Sequence, residues 1–164
     1  MSIMVRAAVR EDVAALVRLR LANAERHIQL DPAVYRLPDA DVVRRHFEDV
    51  LSGGSDVLIF VAEVDGGIAG MAELVPLPDP PEHQIAVPRR AADVHTVVLD
   101  GYRGRGVGKA LLREAERAAS ERGVSTIYAG ILTLNQNAVR FYASAGFGPR
   151  GTMLRKELGK PAPD

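Results

Sequence analysis

Apolar and polar positions alternate at Ile3, Val5 and Ala7, and then the period changes: Val13, Leu16, Val17 and Leu21 recur at helical spacing. Side chains alternate across a strand but share one face of a helix about every 3.6 residues, so the pattern predicts a strand and then a helix opened by Glu11-Asp12. His27 to Pro38 loses the period and is expected to be irregular. Asp39 or Asp41 then suits the cap of a second helix carrying Val42, Val43, Phe47, Val50 and Leu51 as far as Gly53-Gly54.

Val57 to Val64 and Ile68 to Val75 flank Asp65-Gly66-Gly67, which predicts an antiparallel hairpin because Asp and Gly accept the positive φ such turns need. Pro76, Pro78, Pro80, Pro81 and Pro88 rule out a central element between Pro76 and Arg90 and predict a surface loop before a strand over Asp93 to Leu99. From Val107, a stripe of Ala110, Leu111, Ala115, Ala118 and Ala119 predicts a helix closed by Gly123. Val124 to Leu132 reads as a strand. Asn135 suits the cap of a helix through Ala145, closed by Gly146, and Phe147 with Thr152 to Arg155 is expected to supply final strands. The order β-α-α-β-β-β-α-β-α-β, with hairpins in the middle and helix crossovers late, predicts a mixed α/β sheet.

Composition narrows what this sheet can serve. At 164 residues the chain suits one domain, expected over 1–158, with 159–164 a frayed, proline-bearing tail. Lys and Arg number 21 and Asp and Glu 21, so the electrostatic footprint of a general nucleic-acid binder is missing, and no nucleic-acid partner is expected. With no cysteine, disulfides, thiolate metal sites and a cysteine nucleophile are excluded, and no metal is expected. No run approaches ~18 apolar residues, and the N-terminal residues lack a signal peptide's apolar core. The expectation is a soluble, cytoplasmic protein without a membrane partner.

The chemistry concentrates where the strand ending Val97-Val98-Leu99 breaks into Asp100-Gly101-Tyr102-Arg103-Gly104-Arg105-Gly106-Val107-Gly108-Lys109 and becomes a helix. Glycines let a ligand approach the backbone, and the first amides of a helix have no internal partners, so the turn suits an anion. A dinucleotide turn would need its third glycine where Lys109 stands. A nucleotide-triphosphate loop would need glycine at Arg103 and Ser or Thr at Ala110. What survives is Arg-x-x-Gly-x-Gly at Arg103, Gly106 and Gly108; a tight turn that binds nothing would share its residues.

This loop resembles the acetyl-coenzyme A loop of the GNAT superfamily of N-acyltransferases. About thirty residues on, Asn135-Gln136-Asn137-Ala138 leading through Phe141-Tyr142 to Gly146-Phe147 resembles the superfamily's second diagnostic element. The likeness extends from Ile3 to about Lys156, including Val5-Arg6 to Asp12 and the Phe60-Val61-Ala62-Glu63 hairpin. It implies a mixed central sheet with helices on both faces and a splayed strand pair that binds coenzyme A. It implies, too, that the backbone of Val97, Val98 and Leu99 meets the pantetheine arm and that Arg103, Gly104, Arg105, Gly106, Val107, Gly108 and Lys109 hold the diphosphate. Asn135 would contact the pantetheine as well as cap its helix.

By the same likeness Tyr142 matches the general acid, although a packing tyrosine would read the same, and a backbone amide near Val98 is the expected oxyanion donor. For the base, His95 carries the side chain best suited to take up a proton near neutral pH, with Glu73 and Asp93 as competitors. Alternation places Asp93 and His95 on one face of their strand and Thr96 and Val98 on the other. His27 to Pro38 and Pro76 to Arg90 are expected to select the acceptor. No acidic cluster points to a polyamine or aminoglycoside. The resulting expectation is an acetyl-coenzyme A-dependent N-acetyltransferase for a small-molecule amine, with a silent acyl-coenzyme A sensor or interaction module, or a protein N-terminal or lysine acetyltransferase, as the alternatives and a homodimer left open.

Overall fold

The hairpin expected around Asp65 forms the middle of the sheet. In the computed structural model, which describes residues 1–159, β2 (Leu58–Val64) and β3 (Gly67–Pro76) pair antiparallel across the two-residue turn Asp65-Gly66, both at positive φ (52° and 84°). Two such residues twist a hairpin in the direction its strands already twist. β1 (Ile3–Ala7) pairs antiparallel with β2, β4 (Ala91–Val98) antiparallel with β3, and β5 (Thr126–Tyr128) parallel with β4, giving the order β1-β2-β3-β4-β5. The sheet is mixed, and only its β4–β5 pair is parallel.

Helices cover both faces. On one, Leu16 and Leu19 of α1 (Val13–Leu30) and Phe47 of α2 (Ala40–Asp49) pack on Val61, Met71 and Val97. On the other, Leu111, Leu112 and Ala115 of α3 (Val107–Glu121) and Tyr142 of α4 (Gln136–Ser144) pack on Ala72, Leu74 and Val94. Asp39 caps α2 by accepting from the Asp41 and Val42 amides, Asn135 caps α4 through Ala138, and Gly123 and Gly146, at φ 75° and 94°, follow the ends of α3 and α4. α3 lies close on the sheet because Gly70 has no side chain: a Cβ there would stand 2.8 Å from the Val97 carbonyl oxygen and 3.1 Å from Leu111.

The expected elements depart from the structure in three places. α1 runs on to Leu30, so His27 is helical rather than part of an irregular loop. Its later turns lose the apolar period because their sheet-facing side borders an open cavity instead of the core. β5 is only three residues long, not Val124 to Leu132, because its chain turns away from β4 after Tyr128. The final strands expected at Phe147 and Thr152 to Arg155 do not form among the described residues. Phe147 instead packs edge-on against the Tyr142 ring, and Met153, Leu154 and Leu158 stand exposed. A strand exists only with a ladder partner, and this segment meets no sheet edge. Of the expected tail, only Gly159 lies within the described residues.

Candidate functional site

The parting of β4 from β5 creates the site. β4 and β5 pair only from Ala91↔Thr126 to Asp93↔Tyr128, so beyond Asp93 that edge of β4 has no strand beside it. Which peptide groups face the gap follows from the β3 ladder. The Leu99 amide donates to Ala69 O and the Leu77 amide to Ala91 O, and the register between them is regular, so the odd-numbered residues of β4 turn their N–H and C=O toward β3. The even-numbered ones, Thr96 and Val98, turn theirs toward the gap. Val97 and Leu99 therefore do not present their peptide groups there; Val97 borders the cavity with its side chain, and Leu99 packs toward the α1 core.

At the end of β4 the glycine turn opens α3. Gly104 and Gly106 have φ of 72° and 86°, the left-handed region that glycine enters freely, and a Cβ on either would meet no atom closer than Ile3 Cδ1 at 4.0 Å. Their requirement is conformational. Gly108 differs: a Cβ there would lie 3.1 Å from the Phe141 ring, so this glycine lets α4 pack on the first turn of α3. Arg103 Nε donates to Val98 O and sits beside Asp100 Oδ1, both at 3.2 Å, which ties the turn to the free edge of β4. Arg105 points elsewhere, its guanidinium 5.9 Å from the Tyr102 ring centroid.

Thr96, Val98, Arg103, Gly104, Gly106, Val107, Gly108, Lys109 and Asn135 border one cavity of about 780 Å³. The amides of the first turn of α3, with Arg103 and Lys109 close by, can receive an anion, and the free edge of β4 can receive an extended amide chain. Opposite the turn, the cavity is walled by Arg20, Asn23, Arg26 and His27 of α1, with Glu73 and His95 on the sheet. Glu73 and His95 are direct cross-strand partners on the α1 face. Glu73 is buried and accepts from Arg20 Nη2 at 2.5 Å, whereas His95 is exposed to the cavity. Asp93, on the same face, does not border the cavity.

Tyr142 also stands outside the wall. It is 7% exposed, edge-on to Phe141 and Phe147, and its hydroxyl shares a hydrogen bond of 2.7 Å with Thr96 Oγ1, which does border the cavity. Burial pushes the phenol above its ordinary range, partly opposed by its hydrogen bonding to Thr96. The phenol therefore stays protonated at neutral pH. Sequence reasoning missed Arg20, Asn23 and Arg26 as site residues. A signal was present: the stripe begun at Leu16 continues through Arg20, Asn23 and His27, polar residues where a core-facing helix should stay apolar.

This architecture is shared with proteins of known structure. The chain superposes on a mutant protein of Bacillus halodurans with a TM-score of 0.82 (20% identity, 94% of this chain, 99% of that one). It superposes on an aminoglycoside N-acetyltransferase in complex with coenzyme A with a TM-score of 0.69 (21%, 96% of each chain), and on a predicted acetyltransferase with acetyl-coenzyme A from Clostridium acetobutylicum with 0.69 (21%, 96% and 97%). The fold is shared with these acetyltransferases.

Residues 16–147 match the model of the acetyltransferase (GNAT) family, and the chain belongs to that family. It is 30% identical over 112 residues to N-acetyltransferase 8 of Rattus norvegicus, and 30% identical over 114 residues to an uncharacterized N-acetyltransferase of Mycobacterium bovis. These matches take in 68% and 70% of this chain but 46% and 67% of the two relatives, so the chain spans about half the length of the rat protein.

Proposed function

We propose that residues 1–158 form an N-acetyltransferase domain that moves an acetyl group from acetyl-coenzyme A to a primary amine of a small molecule by direct attack. The observation that carries this reading is the open edge of β4 at Thr96 and Val98, running into the left-handed glycine turn at the start of α3. A cavity of about 780 Å³ is of the size that holds small molecules, and the wall opposite the turn is helix α1 rather than an open surface.

When bound, the donor supplies an acyl group activated as a thioester, and the protein must do four things around it. The α3 amides, with Arg103 and Lys109, hold its diphosphate, while the cleft-facing peptide groups of Thr96 and Val98 and the side chain of Asn135 meet its pantetheine amides. The Val98 N–H stabilises the oxyanion formed on attack, a role that a donor fixed in a strand performs without reorganisation. His95, exposed beside the Arg20–Glu73 pair, takes the proton that the incoming ammonium must lose. Tyr142 is the acid: Thr96 Oγ1 gives its proton to the departing sulfur and takes one from the phenol, and the phenolate left behind recovers the proton that the attacking nitrogen sheds as the amide forms, so the leaving group departs as a thiol.

One observation favours a silent coenzyme A-binding module instead, namely that the Tyr142 hydroxyl reaches the cavity only through Thr96. Thiol release from acetyl-coenzyme A in the presence of a panel of amines separates the two. Amine-dependent release is the expected result. Tight binding of coenzyme A without release on any amine would refute the transferase reading.

A further inference from the structure

The charges around the cavity are lopsided. Among the described residues Glu73 is its only carboxylate, and Arg20 already neutralises it, with the Arg20 guanidinium held 5.2 Å from the centre of the Phe47 ring. Five cations, Arg20, Arg26, Arg103, Lys109 and Arg140, border the same cavity from its two sides. Arg103, Lys109 and Arg140 stand at the glycine turn and on the helices beside it, where the donor's phosphates have been placed. Arg26 is different. It is half-buried on α1, forms no ion pair among the described residues, and borders both the main cavity and an adjoining hollow of about 210 Å³ lined by Asn135, Gln136 and Asn137.

A half-buried guanidinium without a counter-ion is costly, and a carboxylate or phosphate fits its planar fork of donors. The same cations repel a polycation. Resting on the transferase reading, we infer that the acceptor is an amine that also carries an anionic group, a carboxylate or a phosphate, and that Arg26 is the residue that selects it. The anion docks at Arg26 with the side-chain amides of Asn23 and Asn137 close by, while the amine lies toward His95 and Thr96. A polyamine or an aminoglycoside, rich in ammonium groups and poor in anions, does not suit this wall.

The test uses matched amines that differ in one charge: glycine against glycinamide, O-phosphoethanolamine against ethanolamine, and spermidine as the polycation. In the full chain, the anionic member of at least one pair should exceed its neutral partner about 10-fold or more in kcat/KM, and which pair does so distinguishes carboxylate from phosphate. Arg26→Gln, which keeps a good helix former on α1, should bring that ratio close to 1 by raising the acceptor KM, with the KM for acetyl-coenzyme A unchanged and Arg26→Lys retaining part of the preference. The inference is overturned, with the transferase reading intact, if neutral amines or spermidine are preferred, if the preference survives Arg26→Gln, or if that substitution raises the acetyl-coenzyme A KM instead. No turnover on any amine overturns both.

Discussion

Replacing Thr96 by Val removes one hydroxyl and keeps the volume, which makes it the sharpest probe of how a proton leaves this site. The Tyr142 phenol is 7% exposed and bonds Thr96 Oγ1 at 2.7 Å. Without that partner the buried hydroxyl is left unsatisfied, so the stability lost should be about 1–3 kcal/mol. Catalysis should suffer as well. If Thr96 relays the phenol's proton, its loss removes general acid catalysis altogether, typically worth about 10²-fold or more. Tyr142→Phe should cost a similar factor, and the double variant no more than either alone, because one chain of two groups breaks at any link. The assay is single-turnover acetyl transfer at saturating acetyl-coenzyme A, with urea denaturation showing that each variant is folded. A Thr96→Val protein with the wild-type rate, or single losses that multiply in the double variant, would refute the relay.

Other sites give equally direct outcomes. His95→Gln should lower kcat/KM about 10²-fold and leave the coenzyme A dissociation constant unchanged in calorimetry, and an equal rate would remove His95 as the base. Gly106→Ala should destabilise the fold by about 1–2 kcal/mol through its left-handed backbone alone, since the space around it is open; Gly101→Ala, equally open but without that φ, should change stability by less than about 0.5 kcal/mol in urea denaturation. The Arg6 guanidinium donates to both oxygens of Asp12, at 2.7 and 2.9 Å, and with the Val9 amide holds that buried carboxyl below its usual range against the cost of burial. A lowered folded value means that the stability Asp12 contributes is fully present above its unfolded value near about 3.9 and is lost as the pH falls through the lower folded value. Asp12→Asn should therefore cost about 2 kcal/mol at pH 7, and its deficit relative to wild type should shrink as the pH drops below about 3.9; a constant gap would contradict the pairing.

Local grammar carried much of the fold. Asp65-Gly66 marked the hairpin, Asp39 and Asn135 marked helix starts, and Gly123 and Gly146 marked helix ends, because each states a backbone angle or a cap that neighbours along the chain can satisfy by themselves. The glycine turn was legible for the same reason, although Gly108 turned out to serve a contact with Phe141 that its spacing could not reveal. The final strands failed on the opposite ground: an extended pattern at Thr152 to Arg155 has no meaning without an edge to pair with.

What the sequence by itself determined is therefore most of the elements, the glycine turn that opens α3 and the family likeness. Only the tertiary structure decided which β4 peptides face the gap, that Glu73 lies opposite His95, and that Arg20 and Arg26, some seventy residues before His95, join the same wall. Strand register decides the first two and the docking of α1 on the sheet the third. Those are properties of contacts between distant segments, and a one-residue slip in the strand register would exchange one face of β4 for the other.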